Sequence, residues 1–179
     1  MPKLVDLGIA GALLIELDLH LDERGHMAEM FRRSWLPGMG EMVQANLSMS
    51  RPHVLRGLHF HRTQADYWTV LSGTAFVALY DLRRGSPTEE KKTEIEVVAE
   101  ERRCLFIPKG VAHGFYTATG ILLQYLVDQY HTGEDEFGIA WNDPDLGIAW
   151  PATDPMLSNR DRSNPSLAEI LPKAPLYEG

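Results

Sequence analysis

The sequence predicts an all-β protein, a sandwich, jelly roll or barrel, with short helical pieces near its ends. Three observations predict it. Short runs rich in β-branched and aromatic residues recur along the middle of the chain, Gly and Pro break them at close spacing, and helical signals are confined to the ends. At 179 residues the chain fits one domain, residues 1–179, ending in a tail from about residue 152. No repeat, low-complexity tract or linker interrupts it.

Taken in order, Glu29 to Leu36 reads as one or two helical turns stopped by Pro37-Gly38. Arg56 to His61, taken as a strand, turns His59 and His61 to one face and Leu58 and Phe60 to the other. Trp68, Val70 and Leu71 predict a strand that stops at Ser72-Gly73, a hairpin-like break, after which Thr74 to Leu82 forms the next. Arg83 to Thr88 is a turn or loop. Thr93 to Ala99 alternates, Ile95 and Val97 against Glu94 and Glu96, the period of a half-buried strand. A further strand runs through Leu105 and ends at Pro108-Lys109-Gly110, and Ile121 to Val127 is a continuous apolar run suited to a barrel wall. Asn164-Pro165 reads as a cap and first-turn proline leading into a helix over Ser166 to Leu171.

Composition narrows the function classes. With 44% hydrophobic and 23% charged residues the chain is of ordinary globular type, and its formal charge of −8 argues against a nucleic-acid or membrane-surface partner, which usually meets a basic face. A small anionic ligand held by a few arginines stays compatible with that charge. No basic-then-apolar leader and no membrane-length apolar run is visible, so a cytoplasmic protein is expected. The lone Cys104, inside Leu105-Phe106-Ile107's apolar run, reads as a small buried hydrophobe rather than a nucleophile.

The chemistry concentrates in two segments. His59-x-His61 is followed by Asp66 and Gly73, and Pro108-x-Gly110-x-x-His113 supplies a second motif, together the two-motif spacing of cupins. In metal-binding cupins the inward histidines and a glutamate form an open site, and Asp66 stands where that glutamate would be. The spacing is moderately specific for a cupin and only weakly so for metal.

Five segments, two of them overlapping these motifs, lie in register: Asp22-Glu23-Arg24-Gly25; Val54 to Phe60; Asp81-Leu82-Arg83 with Ser86-Pro87-Thr88; Ile107 to Phe115; and Trp141-Asn142-Asp143 with Gly147-Ile148-x-Trp150-Pro151. With them, from about residue 14 to about 161, the chain resembles the dTDP-4-dehydrorhamnose 3,5-epimerase family of the cupin superfamily. The resemblance implies a cupin jelly-roll barrel and an isomerase of a nucleoside-diphosphate 4-keto-6-deoxyhexose. Its C4 ketone acidifies the hydrogens at C3 and C5, so that a base and an acid on opposite faces invert the carbon. It implies His59 as base, Asp161 as its carboxylate partner and Tyr125 as acid. Arg24 and Arg56 then hold the diphosphate, Gln44 and Asn46 make polar contacts, Tyr130 stacks on the nucleotide base and Glu136 lies near that nucleotide base, while His61, Asp66 and His113 complete the pocket. It further implies no cofactor or metal, and a homodimer whose N-terminal strands cross to the partner, so that Arg24 serves the neighbouring site.

The chain departs from that pattern at two positions. Asp66 falls where the family carries a lysine near the keto oxygen, and His61 where it usually has glutamine. Loss of one oxyanion donor costs roughly 2.7–4 kcal/mol. Three accounts stay open: a protonated His61 beside Asp66 replaces the lysine; one carbon or another nucleotide sugar is epimerised; or His59, His61, Asp66 and His113 hold a metal. A non-catalytic sugar-nucleotide binder is the reading outside enzymes.

Overall fold

The computed structural model describes residues 1–36 and 39–178. The N-terminal region forms β1 (Lys3–Asp6), β2 (Leu13–Glu16) and a separate hairpin of β3 (His20–Asp22) and β4 (Gly25–Met27). The central strands are β5 (Gln44–Ser50), β6 (Val54–Phe60), β7 (Asp66–Asp81), β8 (Lys92–Val98), β9 (Arg103–Ile107), β10 (Val111–Thr117) and β11 (Ile121–Val127). A two-residue β12 (Phe137–Gly138) and two single-turn helices, α1 (Asn159–Arg162) and α2 (Leu167–Ile170), follow.

All ladders are antiparallel, and β7 runs through two sheets. Its first half lies in the order β1-β2-β9-β7-β11-β5, its second half in the order β8-β7-β10-β6-β12. The inner faces meet in one apolar layer, Trp68, Val70, Leu105 and Leu123 from the first sheet against Val77, Leu79, Val97 and Phe115 from the second. This is the expected jelly roll with short helices. The outer face of the second sheet is covered by the C-terminal segment, where Leu58, Phe60 and Ala112 pack with Leu167, Ile170 and Ala174. Leu58 and Phe60 thus lie on the face opposite His59, as the alternation required. Cys104 is fully buried under Trp35 and Leu36 on the outer face of the first sheet, and burial raises its thiol pKa.

Three local expectations change. Ser72-Gly73 does not end a strand: β7 continues for 16 residues, with a bulge against β11 between the partners of Leu122 and Leu123. Gly73 has φ +83°, and a Cβ there would collide with the Gly120 carbonyl oxygen. The glycine therefore lets β7 pass from one sheet to the other instead of turning back. Glu29 to Leu36 makes only a 3-10 turn over Arg33–Trp35 without a side-chain cap. Tyr67 explains it: its hydroxyl donates to the Met30 carbonyl (2.7 Å) and its ring takes the edge of Phe31, holding this stretch against the sheet. The stop expected at Pro37-Gly38 lies outside the described residues. The last helix is capped by Ser166, not Asn164, because Pro165's carbonyl accepts from Ala140 N–H (2.7 Å) and Asn164 packs on Gly138. The Glu169 carboxylate accepts from Ser166 N–H (2.9 Å) and Oγ–H (2.8 Å).

Arg83 to Thr88 is the expected loop, and Asp81 organises it. Its carboxylate accepts from Arg83 Nε (2.7 Å), Ser86 Oγ (2.6 Å) and Thr88 Oγ1 (2.7 Å) while fully buried. Gly114, in the second motif, brings β10 close to β6: a Cβ there would meet the Arg56 carbonyl at 2.7 Å. That approach sets His113 directly across the ladder from His59.

Candidate active site

A cavity of about 270 Å³ opens between the sheets. Its wall follows the two-residue period of strands: Gln44, Asn46 and Ser48 from β5, and Leu123, Tyr125 and Val127 from β11. The facing sheet supplies Arg56 and His59 from β6 and His113 and Phe115 from β10; Asp66 and Trp68 come from β7, and His61 from the residue after β6.

His59 Nε2–H donates to Asp161 Oδ1 at 2.6 Å, across 102 residues of sequence. Asp161 sits in the first turn of α1, whose cap Ser158 accepts the Asp161 main-chain N–H at 3.0 Å, so a four-residue helix aims the carboxylate. Asp161 is 4% exposed. Burial raises its pKa, but the His59 hydrogen bond and charge, with help from Ser158 and the Gly57 main chain, outweigh it and hold the carboxyl below its ordinary value. Asp161 is therefore ionised at neutral pH and fixes the His59 tautomer, leaving Nδ1 as the basic nitrogen. Tyr125 on β11 is partly buried; burial first, then the charges of Asp66 and Glu136, raise its pKa, so the phenol keeps its proton at neutral pH.

Arg56 lines the cavity with Nε donating to Ser50 Oγ (2.9 Å), and Gln44 Nε2 donates to Asn46 Oδ1 (2.8 Å). Deeper in, Asp66 accepts from Gln64 Nε2 (2.8 Å) and Trp68 Nε1 (3.0 Å). His61 Nδ1–H donates to the Asp135 carbonyl (2.6 Å) and His113 Nδ1–H to the Val111 carbonyl (3.0 Å). The His61 and His113 rings lie 5.7 Å apart. Burial pushes the His113 pKa down to about 4, against the opposing pull of Asp66, so this imidazole is neutral.

Of the twelve residues read from the sequence, ten reach the cavity or act on it: His59, Tyr125, Gln44, Asn46, Arg56, His61, Asp66, His113 and Glu136 line it, and Asp161 reaches it through His59. Two do not. Arg24 stands on the exposed β3–β4 hairpin, its guanidinium paired with Asp22 (2.5 Å), and is no part of this chain's own pocket. Tyr130 is 71% exposed and borders an adjoining depression that shares His61, Gln64, His131 and Glu136 with the main cavity. Glu136 is paired with Arg160. The four-ligand metal set is also corrected: His61, Asp66 and His113 form a cluster without His59, whose Nε2 is committed to Asp161. Sequence reasoning missed Ser48, Trp68 and His131 in the wall. For Ser48 the signal was present, since it continues the Gln44, Asn46 period by one step.

The family model for dTDP-4-dehydrorhamnose 3,5-epimerase matches residues 6–169. The chain belongs to the dTDP-4-dehydrorhamnose 3,5-epimerase family. A curated family member from Methanothermobacter thermautotrophicus is 36% identical over 176 residues, covering 93% of this chain and 95% of that protein. Among solved structures, a dTDP-6-deoxy-D-glucose-3,5-epimerase from Legionella pneumophila, in complex with dTDP-4-keto-L-rhamnose, superposes with TM-score 0.92 at 34% identity and full coverage of both chains. A 3'-monoepimerase from Streptomyces bikiniensis, in complex with dTDP-quinovose, is similar at TM-score 0.86 and 33% identity, covering 95% of this chain and 91% of that one. The resemblance carried by the five motifs is borne out, and with it the isomerase class of this epimerase-family chain. Among the described residues no helix is long and apolar enough to cross a membrane.

Proposed function

We propose that this chain epimerises a nucleoside-diphosphate 4-keto-6-deoxyhexose at C3, C5 or both, with His59 as base, Asp161 as its partner and Tyr125 as acid. One observation supports the reading most: a carboxylate-held imidazole and a protonated phenol line one cavity from different sheets. His59 Nδ1 takes the proton from the carbon next to the ketone, and the C–H electron pair becomes the C=C bond of an enolate with its charge on O4. The ketone re-forms as the Tyr125 hydroxyl delivers its proton to the other face of that carbon. The tyrosinate then regains a proton from water, and the imidazolium loses its own. Asp161 stabilises the imidazolium in between.

Arg56 suits the diphosphate, as a permanently charged, bidentate donor at the cavity wall. Gln44 and Asn46 offer polar contacts beside it, and Tyr130 with Glu136 stands at the adjoining depression where a base could stack. The solved relatives carry dTDP-linked sugars in their crystals, which favours a nucleotide-sugar ligand here. The reading includes a cytoplasmic homodimer in which Arg24, outside its own pocket, serves the partner's. Asp66 works against it: where the family carries a lysine beside the keto oxygen, this wall has an acidic side chain, which is no substitute for a cationic oxyanion donor.

Incubation with dTDP-4-keto-6-deoxyglucose in deuterium oxide tests the proposal. Deuterium at C3, C5 or both is expected, and the pattern reports whether one or two centres react. Measurable binding with no exchange at either carbon would overturn the enzyme reading and leave a sugar-nucleotide binder.

A further inference from the structure

The cluster of His61, Asp66 and His113 has no part in the proton transfer assigned to His59 and Tyr125. One donor atom from each lies within 4.8 Å of the other two, and all three residues are buried. Both imidazoles donate Nδ1–H to a main-chain carbonyl, His61 to Asp135 and His113 to Val111. That fixes the lone pair of each ring on Nε2, the outer-sphere arrangement metal-ligating histidines usually have. His113 Nε2 stands 3.6 Å from Asp66 Oδ2, too long for a hydrogen bond. It is close to the separation of about 3.3 Å that tetrahedral ligands at about 2.0–2.1 Å from an ion would have.

Hydrogen bonds hold the surroundings of the cluster in place. Asp135's carboxylate accepts from Arg62 N–H (2.9 Å), Thr63 N–H (2.8 Å) and Thr63 Oγ1–H (2.5 Å), which pins the loop that carries His61. Asp66 is oriented by two neutral donors, Gln64 and Trp68. The other carboxylate of the wall, Glu136, has Arg160. Among the described residues, no lysine or arginine pairs with Asp66, and a buried carboxylate without opposite charge is costly.

We propose that His61, Asp66 and His113 bind one divalent transition ion through two Nε2 atoms and a carboxylate oxygen, with its remaining positions open to the cavity. Two imidazoles and one carboxylate suit zinc, cobalt, nickel or ferrous iron rather than calcium or magnesium. The ion supplies positive charge beside the ketone oxygen; that role rests on the epimerase reading, whereas the binding does not.

The test uses untagged full-length protein, stripped with a chelator and titrated with Co²⁺ while the visible ligand-field absorption is followed. One Co²⁺ per chain is expected. In His61→Gln and Asp66→Asn the affinity should fall by more than the about 10–100-fold that loss of an outer-sphere partner costs. His59→Asn should bind Co²⁺ as the parent does, since His59 is outside the ligand set. Asp66→Asn turns one of two acceptor oxygens into a donor and loses one of the hydrogen bonds from Gln64 and Trp68, so circular dichroism checks its fold, and His61→Gln decides if it unfolds. A one-to-one spectrum that disappears in His61→Gln supports the site whether or not substrate protons exchange. Stripped protein that binds no Co²⁺, or equal binding by parent and His61→Gln, overturns it even where His59-dependent exchange is intact.

Discussion

His59 and Asp161, 102 positions apart in sequence, are joined by a hydrogen bond of 2.6 Å. Their roles separate from that of Tyr125 in a measurable way. Replacing His59 by Ala is expected to remove solvent exchange at every carbon, because no proton leaves without the base; general-base loss costs about 10²–10⁴-fold. Tyr125→Phe keeps the ring in the wall and removes only the donor, so inversion should fall further than the initial exchange. Equal loss of both, measured by mass spectrometry of recovered substrate and product, would take Tyr125 out of the acid role. The same residue scale shows why Asp161 would have been passed over by spacing alone. A carboxylate in Ser158-x-x-Asp161 reads as first-turn helix chemistry, and nothing local announces a histidine partner.

At the scale of elements, α1 is a four-residue helix that carries Asp161 in its first turn under the Ser158 cap. So short a helix has little stability of its own, so its cap matters more than its propensity. Ser158→Ala removes the acceptor of the Asp161 N–H and should cost about 1 kcal/mol of stability, within the range of cap deletions. It should lower kcat more than it raises KM, since the carboxylate loses its aim while the substrate contacts stay. Thermal unfolding and steady-state kinetics on the same preparation check both parts. Equal kcat would show that Asp161 is positioned by β6 alone. The second telling element is β7, whose passage through two sheets brings Asp66 and Trp68 to the cavity from one end and Asp81 to the loop network at the other.

For the whole molecule, buried carboxylates set the response to acid. Burial raises the Asp81 pKa, but hydrogen bonds from Arg83, Ser86 and Thr88 outweigh it, and the net shift is downward. Asp161 shifts the same way. A carboxyl whose folded pKa lies below its unfolded value stabilises the fold above about pH 4, the ordinary carboxylate range, and that stability is lost as pH falls through the folded value. The unfolding midpoint should therefore begin to fall below about pH 6.5, where the unfolded His113 imidazole takes a proton that the buried one resists down to about pH 4, and fall more steeply below about pH 4 as the carboxylates titrate. Asp81→Asn should lower the midpoint at pH 7 and flatten the acid limb. An acid limb as steep as the parent's would show that Asp81 does not titrate with unfolding.

Ile121 to Val127, the loop over Arg83 to Thr88 and the opposed faces of Leu58-His59-Phe60 were legible directly, because period-two alternation and turn chemistry are local properties. So was the family, since its motifs are carried by contiguous residues in order. The short β1 to β4 were not, each having too few residues to display a period. Nor was the continuity of β7 across Gly73, where a glycine that usually signals a turn instead makes room for the Gly120 carbonyl. Only the tertiary structure decided which histidine goes where. His59 and His61 share a face and look equivalent in sequence, yet α1 captures the first with a carboxylate, while the Asp135 carbonyl turns the second toward Asp66 and His113. The physical reason is that a side chain's partner is set by elements distant in sequence, whereas its face is set by its neighbours along the strand.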